Sequence, residues 1–280
     1  MTAAFATLRE YFAYPFVQNA AVAVLLVSLA AALLGVTLVL RRLSYIGDGL
    51  SHVAFGAMAV AGVLNFADRL SLSLPATIVC AVVLLRSGRG ARVRGDAALA
   101  MLAVGAMALG YLLMNAFPGS SNVAGDVCSA LFGSTSVLTL SARDVWTCSA
   151  LSLGVVLFFV FFRRRMFELV FDPDFARACG TRTAFWETAL AVLSAVVVVF
   201  AMRFVGTLLT SALLVFPAVG ALRVARSFRG VLFVAAATGT ACAFAGLVAS
   251  VLAGTPVGAS IVAADAVVCL VLVSAGRFRR

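Results

Sequence analysis

Residues 16–52 read FVQNAAVAVLLVSLAAALLGVTLVL-RRLSYIGDGLSH, and the reading of this stretch decides the fold class. Its first part, Phe16–Leu40, carries no ionisable side chain. About 20 mostly apolar residues suffice for a helix to cross the hydrocarbon core of a bilayer. The run is therefore long enough to span. It stops at Arg41-Arg42, a basic pair of the kind that marks a cytoplasmic border. No small-residue cleavage site precedes the pair, which predicts a retained span instead of a signal peptide.

The rest of the chain repeats this pattern. Of its 280 residues 64% are hydrophobic and 11% charged, with a mean hydropathy of +1.13. A soluble domain is about 45–50% apolar and about 25% charged, so one water-soluble core cannot hide this surplus. Composition predicts an all-α polytopic membrane protein. The formal charge is +10, every basic residue being Arg. These arginines lie in short clusters between apolar runs, the placement of cytoplasmic loops and not of a nucleic-acid surface. The six cysteines are scattered, with no Cys-x-x-Cys pair, which argues against a disulfide framework or a zinc finger.

Candidate spans run Phe16–Leu40, Ile46–Phe66, Leu72–Leu85, Ala97–Phe117, Val145–Phe162, Ala184–Ala201, Val205–Leu222, Val231–Leu252 and Val257–Ala275. That makes about nine transmembrane helices (8–10), the third being short. Asn122–Leu140 reads either as a half-inserted helix or as an extracellular hairpin. With the N-terminus outside, 17 of the 21 arginines fall in inner loops, leaving only Arg9, Arg69, Arg143 and Arg203 outside. This asymmetry predicts a cytoplasmic C-terminus. No soluble domain interrupts the spans, so residues 1–280 form a single transmembrane domain.

The segment Ile46-Gly47-Asp48-Gly49-Leu50-Ser51-His52 carries the most chemistry. Asp48 and His52 are four apart and share one helix face. His52 is the only histidine. Ionisable groups at membrane depth are costly unless paired or facing a polar pathway, and a carboxylate beside an imidazole is half of a divalent-cation site. The competing reading is that Asp48 caps the second helix and His52 simply pairs with it. Asp265, alone in a later apolar run, is a pathway candidate or a hydrogen-bond partner of a neighbouring helix. Asp96 is placed to cap the fourth span, and Asp126 falls in the ambiguous outer segment.

A second informative stretch is Asp172-Pro173-Asp174-Phe175-Ala176-Arg177-Ala178-Cys179-Gly180. An Asp cap, Pro at the first helical position and a terminal Gly predict one short helix on the inner face. It is either a docking piece for a cytoplasmic partner or an inert interfacial helix. Pro217 removes a backbone donor inside the seventh span and predicts a kink. There is no Gly-x-x-x-x-Gly-Lys phosphate loop, His-Glu-x-x-His or Gly-x-Ser-x-Gly, so catalysis is not expected of this chain.

Together these blocks resemble the integral membrane permeases of zinc- and manganese-type ABC importers. Arg41–His52 is similar to that family's Arg-Arg-x-Ser-x-x-Gly-Asp-x-Leu/Ile-Ser/Ala-His, and Asp172–Gly180 to its Asp-Pro-x-x-Ala-x-x-x-Gly. Arg203–Leu209 with Leu214–Ala218 is similar to its Lys-x-Val-Gly-x-Leu-Leu and later Pro-Ala block, with Arg203 where Lys is common. Leu131-Phe132-Gly133 and the Thr255–Gly258 turn also fit. The outer segment Pro118–Asp126 has no histidine to help capture metal. The likeness covers most of the chain from Arg41 onward.

The resemblance implies a type II ABC importer permease in the bacterial cytoplasmic (inner) membrane. It implies ABC ATPase subunits, a metal-binding solute-binding protein and a second permease chain, identical or related, as partners, with lipid around them. It further implies Asp48 and His52 as contacts of a transported Mn²⁺, Zn²⁺ or Fe²⁺, with no permanently bound cofactor. Asp172–Gly180 would be the coupling helix that docks on the ATPase. The alternatives are a permease for iron-siderophore or cobalamin complexes, and a stand-alone proton-coupled carrier using Asp48, His52 and Asp265.

Overall fold

The computed structural model describes residues 13–66, 70–87, 95–117 and 142–278. Every regular element among them is a helix: α1 (Pro15–Leu40), α2 (Ile46–Val63), α3 (Leu70–Ser87), α4 (Gly95–Ala116), α5 (Ala142–Phe171), α6 (Pro173–Ala178), α7 (Thr183–Val205), α8 (Thr207–Val224), α9 (Phe228–Ala253) and α10 (Val257–Phe278). Eight are long and apolar enough to cross a membrane, and the apolar part of α3, Leu70–Leu85, is shorter. Asn122–Leu140, with Leu131–Gly133 and Asp126, lies outside the described residues.

The packing nevertheless requires α3 to return the chain across the bilayer. Gly49 of α2 faces Leu99 of α4, and Gly56 faces Ala106. The contact advances by the same number of residues on both helices, so α2 and α4 run in the same direction. The 18 residues of α3 rise about 27 Å, close to the ~30 Å of a hydrocarbon core.

Two ion pairs agree with the arginine asymmetry. Arg41 at the end of α1 meets Glu187 near the start of α7, both assigned to the inner side. Arg203 at the end of α7 lies 3.7 Å from Asp144 at the start of α5, both assigned to the outer side.

The fifth span continues well past Phe162, the expected boundary. Its 30 residues are about 45 Å long, so the helix projects beyond the core. Glu168 explains the continuation: it pairs with Arg164 four residues before it and Arg165 three before it, spacings that support a helix. The expected inner loop Arg163–Arg182 is thus mostly helical. The fourth helix begins at Gly95, so Asp96 lies in its first turn and not at the cap.

α1 is the centre of the bundle. Every residue from Ala30 to Leu38 is buried, more than two full turns, so no face is left for lipid. It touches α5, α7, α8 and α9. Lipid tails are as apolar as Leu, so helices in a bilayer associate through close packing of small residues. At Gly35 the backbone of α8 comes so near that a Cβ would run into the Leu214 carbonyl oxygen. On the far side Gly246 of α9 rests on the backbone of Ile261 in α10. A bulkier Gly35 has backbone in its way, not a movable side chain. Gly35→Ala is therefore expected to cost about 1–3 kcal/mol by overpacking. Gly154→Ala, whose Cβ meets nothing within 4 Å, should be neutral or gain up to about 1 kcal/mol of helix propensity. Thermal unfolding of both variants in detergent checks the contrast.

Candidate metal-contact site

The turn before α2 is built on the end of α1. The Arg42 N–H bonds the Val39 carbonyl at 3.0 Å and the Leu43 N–H bonds that of Leu38 at 2.9 Å. Arg42 itself takes the left-handed region, φ 58°. Such a closure satisfies the last carbonyls of a helix while reversing the chain. Gly47 then lets the Leu214 side chain pack against the first turn of α2, where a Cβ would collide with it.

Asp48 falls in that first turn, and the helix starts behind Tyr45 without a side-chain cap. Its carboxylate is not used for capping. Oδ1 instead accepts a hydrogen bond from Ser211 Oγ of α8 at 3.1 Å. His52 Nε2 stands 3.6 Å from the same Asp48 Oδ1, the imidazole 14% exposed and the carboxylate 40%. That separation is beyond a hydrogen bond, so the two groups face one space without closing on each other. Two donor atoms each about 2.0–2.2 Å from a divalent ion stand roughly 3–3.5 Å apart. The pair is close to that spacing already.

Both side chains line a cavity of about 680 Å³ between α2 and α4. Its wall is otherwise mostly apolar: Phe55 of α2 and Leu99, Ala103, Val104 and Met107 of α4, with Tyr45 and Tyr111. Small residues keep it open, Gly49 allowing Leu99 to lie against α2. Among the described residues, buried His52 Nδ1 has no hydrogen-bond partner. No cluster of three or more His, Cys, Asp or Glu that could hold a metal forms among the described residues.

Asp265 is not part of this cavity. It lies in α10, only 2% exposed, with Cys242 of α9 beside its carboxyl. The helix–helix contact is thus what its surroundings display. Pro217 sits inside α8, where the lack of an N–H leaves the Leu213 carbonyl without its helical donor. α6 has the expected ends: Asp172 accepts from the Phe175 N–H at 2.8 Å, Pro173 opens the helix, and Gly180 follows with φ 80°. Ala176 is buried against the bundle, while Phe175 is 65% exposed beside exposed Asp174, Arg177, Ala178 and Cys179.

Ser211 was not legible as a site residue. Polar side chains in a span often hydrogen-bond a neighbouring helix, but a serine also satisfies itself on its own helix, and Ser211 Oγ does lie 3.1 Å from the Thr207 carbonyl. Only the approach of α8 to α2 decides that it reaches Asp48. Partners that orient a ligand typically matter about 10–100-fold in metal affinity. Ser211→Ala should weaken Mn²⁺ binding by about tenfold and Ser211→Thr should keep most of it, as read by titration of the purified protein.

The geometry can be set beside known proteins. The ABC 3 transport family model matches residues 13–276. The manganese transport system membrane protein MntC of Halalkalibacterium halodurans is 30% identical over 90% of this chain and 85% of its own length. The chelated iron transport system membrane protein YfeD of Yersinia pestis is 29% identical over 84% of this chain and 77% of its own. Among solved structures, PsaBC from Streptococcus pneumoniae in complex with a Fab superposes with a TM-score of 0.84 at 25% identity, covering 97% of this chain and 95% of that one. The chain belongs to the ABC 3 transport family, as a membrane permease subunit of an ABC transporter.

Proposed function

We propose that this chain carries a bare divalent transition-metal ion, Mn²⁺ or Fe²⁺, inward across the bacterial cytoplasmic membrane, with Asp48 and His52 as its contacts. The observation that carries the reading is the Asp48–His52 pair held apart in a mostly apolar cavity, with one hydrogen bond to Ser211. A carboxylate and an imidazole suit either ion, and also Zn²⁺, because affinity alone does not separate first-row metals. The manganese transport system to which one relative belongs favours Mn²⁺, and the chelated iron system of the other keeps iron in play.

Two protein ligands are few for a captured ion. A second permease chain, water or backbone carbonyls would complete the shell, and the cavity between α2 and α4 leaves room for them. Residues 1–280 act as a single transmembrane permease domain. A solute-binding protein delivers the ion at the outer face, and ATPase subunits dock on α6 at the inner face. Asp265 serves packing between α9 and α10 in this reading, and Pro217 a local weakening of α8. ATP hydrolysis belongs to the partner.

The orientation of α6 refines which residue should meet the ATPase. Buried Ala176 seats the helix, and the exposed ring of Phe175 is the docking anchor, since aromatic side chains dominate interface energetics. Phe175→Ala is expected to weaken co-purification with the ATPase by about tenfold, roughly 1.4 kcal/mol, with the permease fold unchanged. Full association of the variant would remove α6 from the interface.

Uptake of radioactive Mn²⁺ and Fe²⁺ by cells tests the ion contact. His52→Ala and Asp48→Ala should each reduce uptake by at least about tenfold at limiting metal, as expected for a lost ligand. Wild-type uptake in both variants would sink the assignment. Uptake of an iron-siderophore complex but of neither free ion would favour the chelate permease instead.

A further inference from the structure

We infer that the buried Arg41–Glu187 ion pair is the strut through which movement of α6 reaches the Asp48–His52 site. The inference rests on the reading of α6 as the docking helix and of Asp48 and His52 as ion contacts. Arg41 Nη2 lies 2.9 Å from Glu187 Oε1, the side chains 13% and 7% exposed and 146 positions apart in the chain.

Each end of the pair is tied to one of the two places it would connect. On one side, α6 is fastened to the start of α7. The Thr181 N–H bonds the Ala176 carbonyl at 2.9 Å, and Arg177 Nε reaches Thr183 Oγ1 at 3.4 Å. Thr183 is the first residue of α7, and Glu187 stands one turn further on, both buried. On the other side, Arg41 closes α1, its N–H on the Thr37 carbonyl at 3.1 Å. The Arg42 and Leu43 bonds to α1 clamp the turn that follows, and the Ile46 N–H bonds the Leu43 carbonyl at 3.0 Å. Asp48 lies two residues beyond Ile46. This path is short and hydrogen-bonded, so a shift of Arg41 is passed to the first turn of α2 with little slack.

The chemistry of the pair also speaks for a positioning role. Replacing a buried ion pair by apolar side chains is often neutral or stabilising, so stability alone does not account for one; setting register or a switch is the best-attested use. Among the described residues, buried Arg41 Nη1 has no hydrogen-bond partner. The guanidinium, which offers five donors in a fixed fork, therefore has capacity for another acceptor when α7 moves.

The test uses the assembled transporter, permease with ATPase and binding protein, in proteoliposomes. ATP hydrolysis and uptake of Mn²⁺ or Fe²⁺ are measured on the same vesicles and expressed as ions taken up per ATP. In R41M/E187M both charges are gone, so no orphaned charge is left to disturb folding. Its ratio should fall about tenfold, within the usual range of coupling between sites, while assembly with the ATPase and Mn²⁺ affinity stay as in the wild type. The charge-exchanged R41E/E187R should recover the ratio to within about twofold, on the same range. A Met pair with the wild-type ratio overturns the strut alone. A Met pair that no longer assembles makes the ion pair a structural brace, which overturns the coupling role too. Wild-type vesicles that take up neither ion overturn the functional reading together with the strut.

Discussion

In lipid, removing apolar surface from the surroundings gives helices no reason to associate, so everything here depends on how closely backbones can approach α1. Gly35 is where that closeness is greatest: the Leu214 carbonyl occupies the space a side chain would need. Three consecutive buried alanines, Ala30–Ala32, precede it, and α5, α7, α8 and α9 gather on this helix. Because α8 is pressed against α1 at Leu214, it also meets the first turn of α2 at Gly47. The same approach brings Ser211 to Asp48. The site is therefore a consequence of small-residue packing around Gly35 and Gly47.

The polar groups divide by what surrounds them. Arg41 and Glu187 spend their charges on each other near the inner face, and Asp144 and Arg203 do the same near the outer one. Asp265 is enclosed between α9 and α10 beside Cys242. Asp48 and His52 differ in that both border a cavity, with Asp48 held by Ser211. Their atoms stand too far apart for a hydrogen bond, and the cavity beside them offers mostly apolar wall. The proposed ion contact rests on this arrangement, since ionisable groups inside a membrane tend to face a pathway or a partner.

α6 illustrates how a local motif acquires meaning from its seat. Asp172, Pro173 and Gly180 set the start and stop of the helix through purely local rules, a side-chain cap, a fixed φ and a left-handed residue. Which side it shows to the cytoplasm follows from burial of Ala176 against the bundle, and that leaves Phe175 outward. Exposed and seating residues alternate within one turn.

What the sequence determined by itself was everything local in origin. Composition and the Arg41-Arg42 border decided membrane class and span number, since the bilayer imposes the length of every crossing. The four-residue spacing of Asp48 and His52 put them on one helix face, and the caps of α6 were readable from type and order. Helix ends were less legible: α5 runs past Phe162 because Glu168 offsets the arginines that looked like a loop. The contacts of Asp48 with Ser211, of Arg41 with Glu187 and of Asp265 with Cys242 were decided only by the tertiary structure. Each joins residues far apart in the chain, and in an almost uniformly apolar sequence no periodicity marks which face meets which helix. The close approaches at Gly35 and Gly246, where a backbone lies against the glycine, and at Gly47, where the Leu214 side chain does, select those pairings.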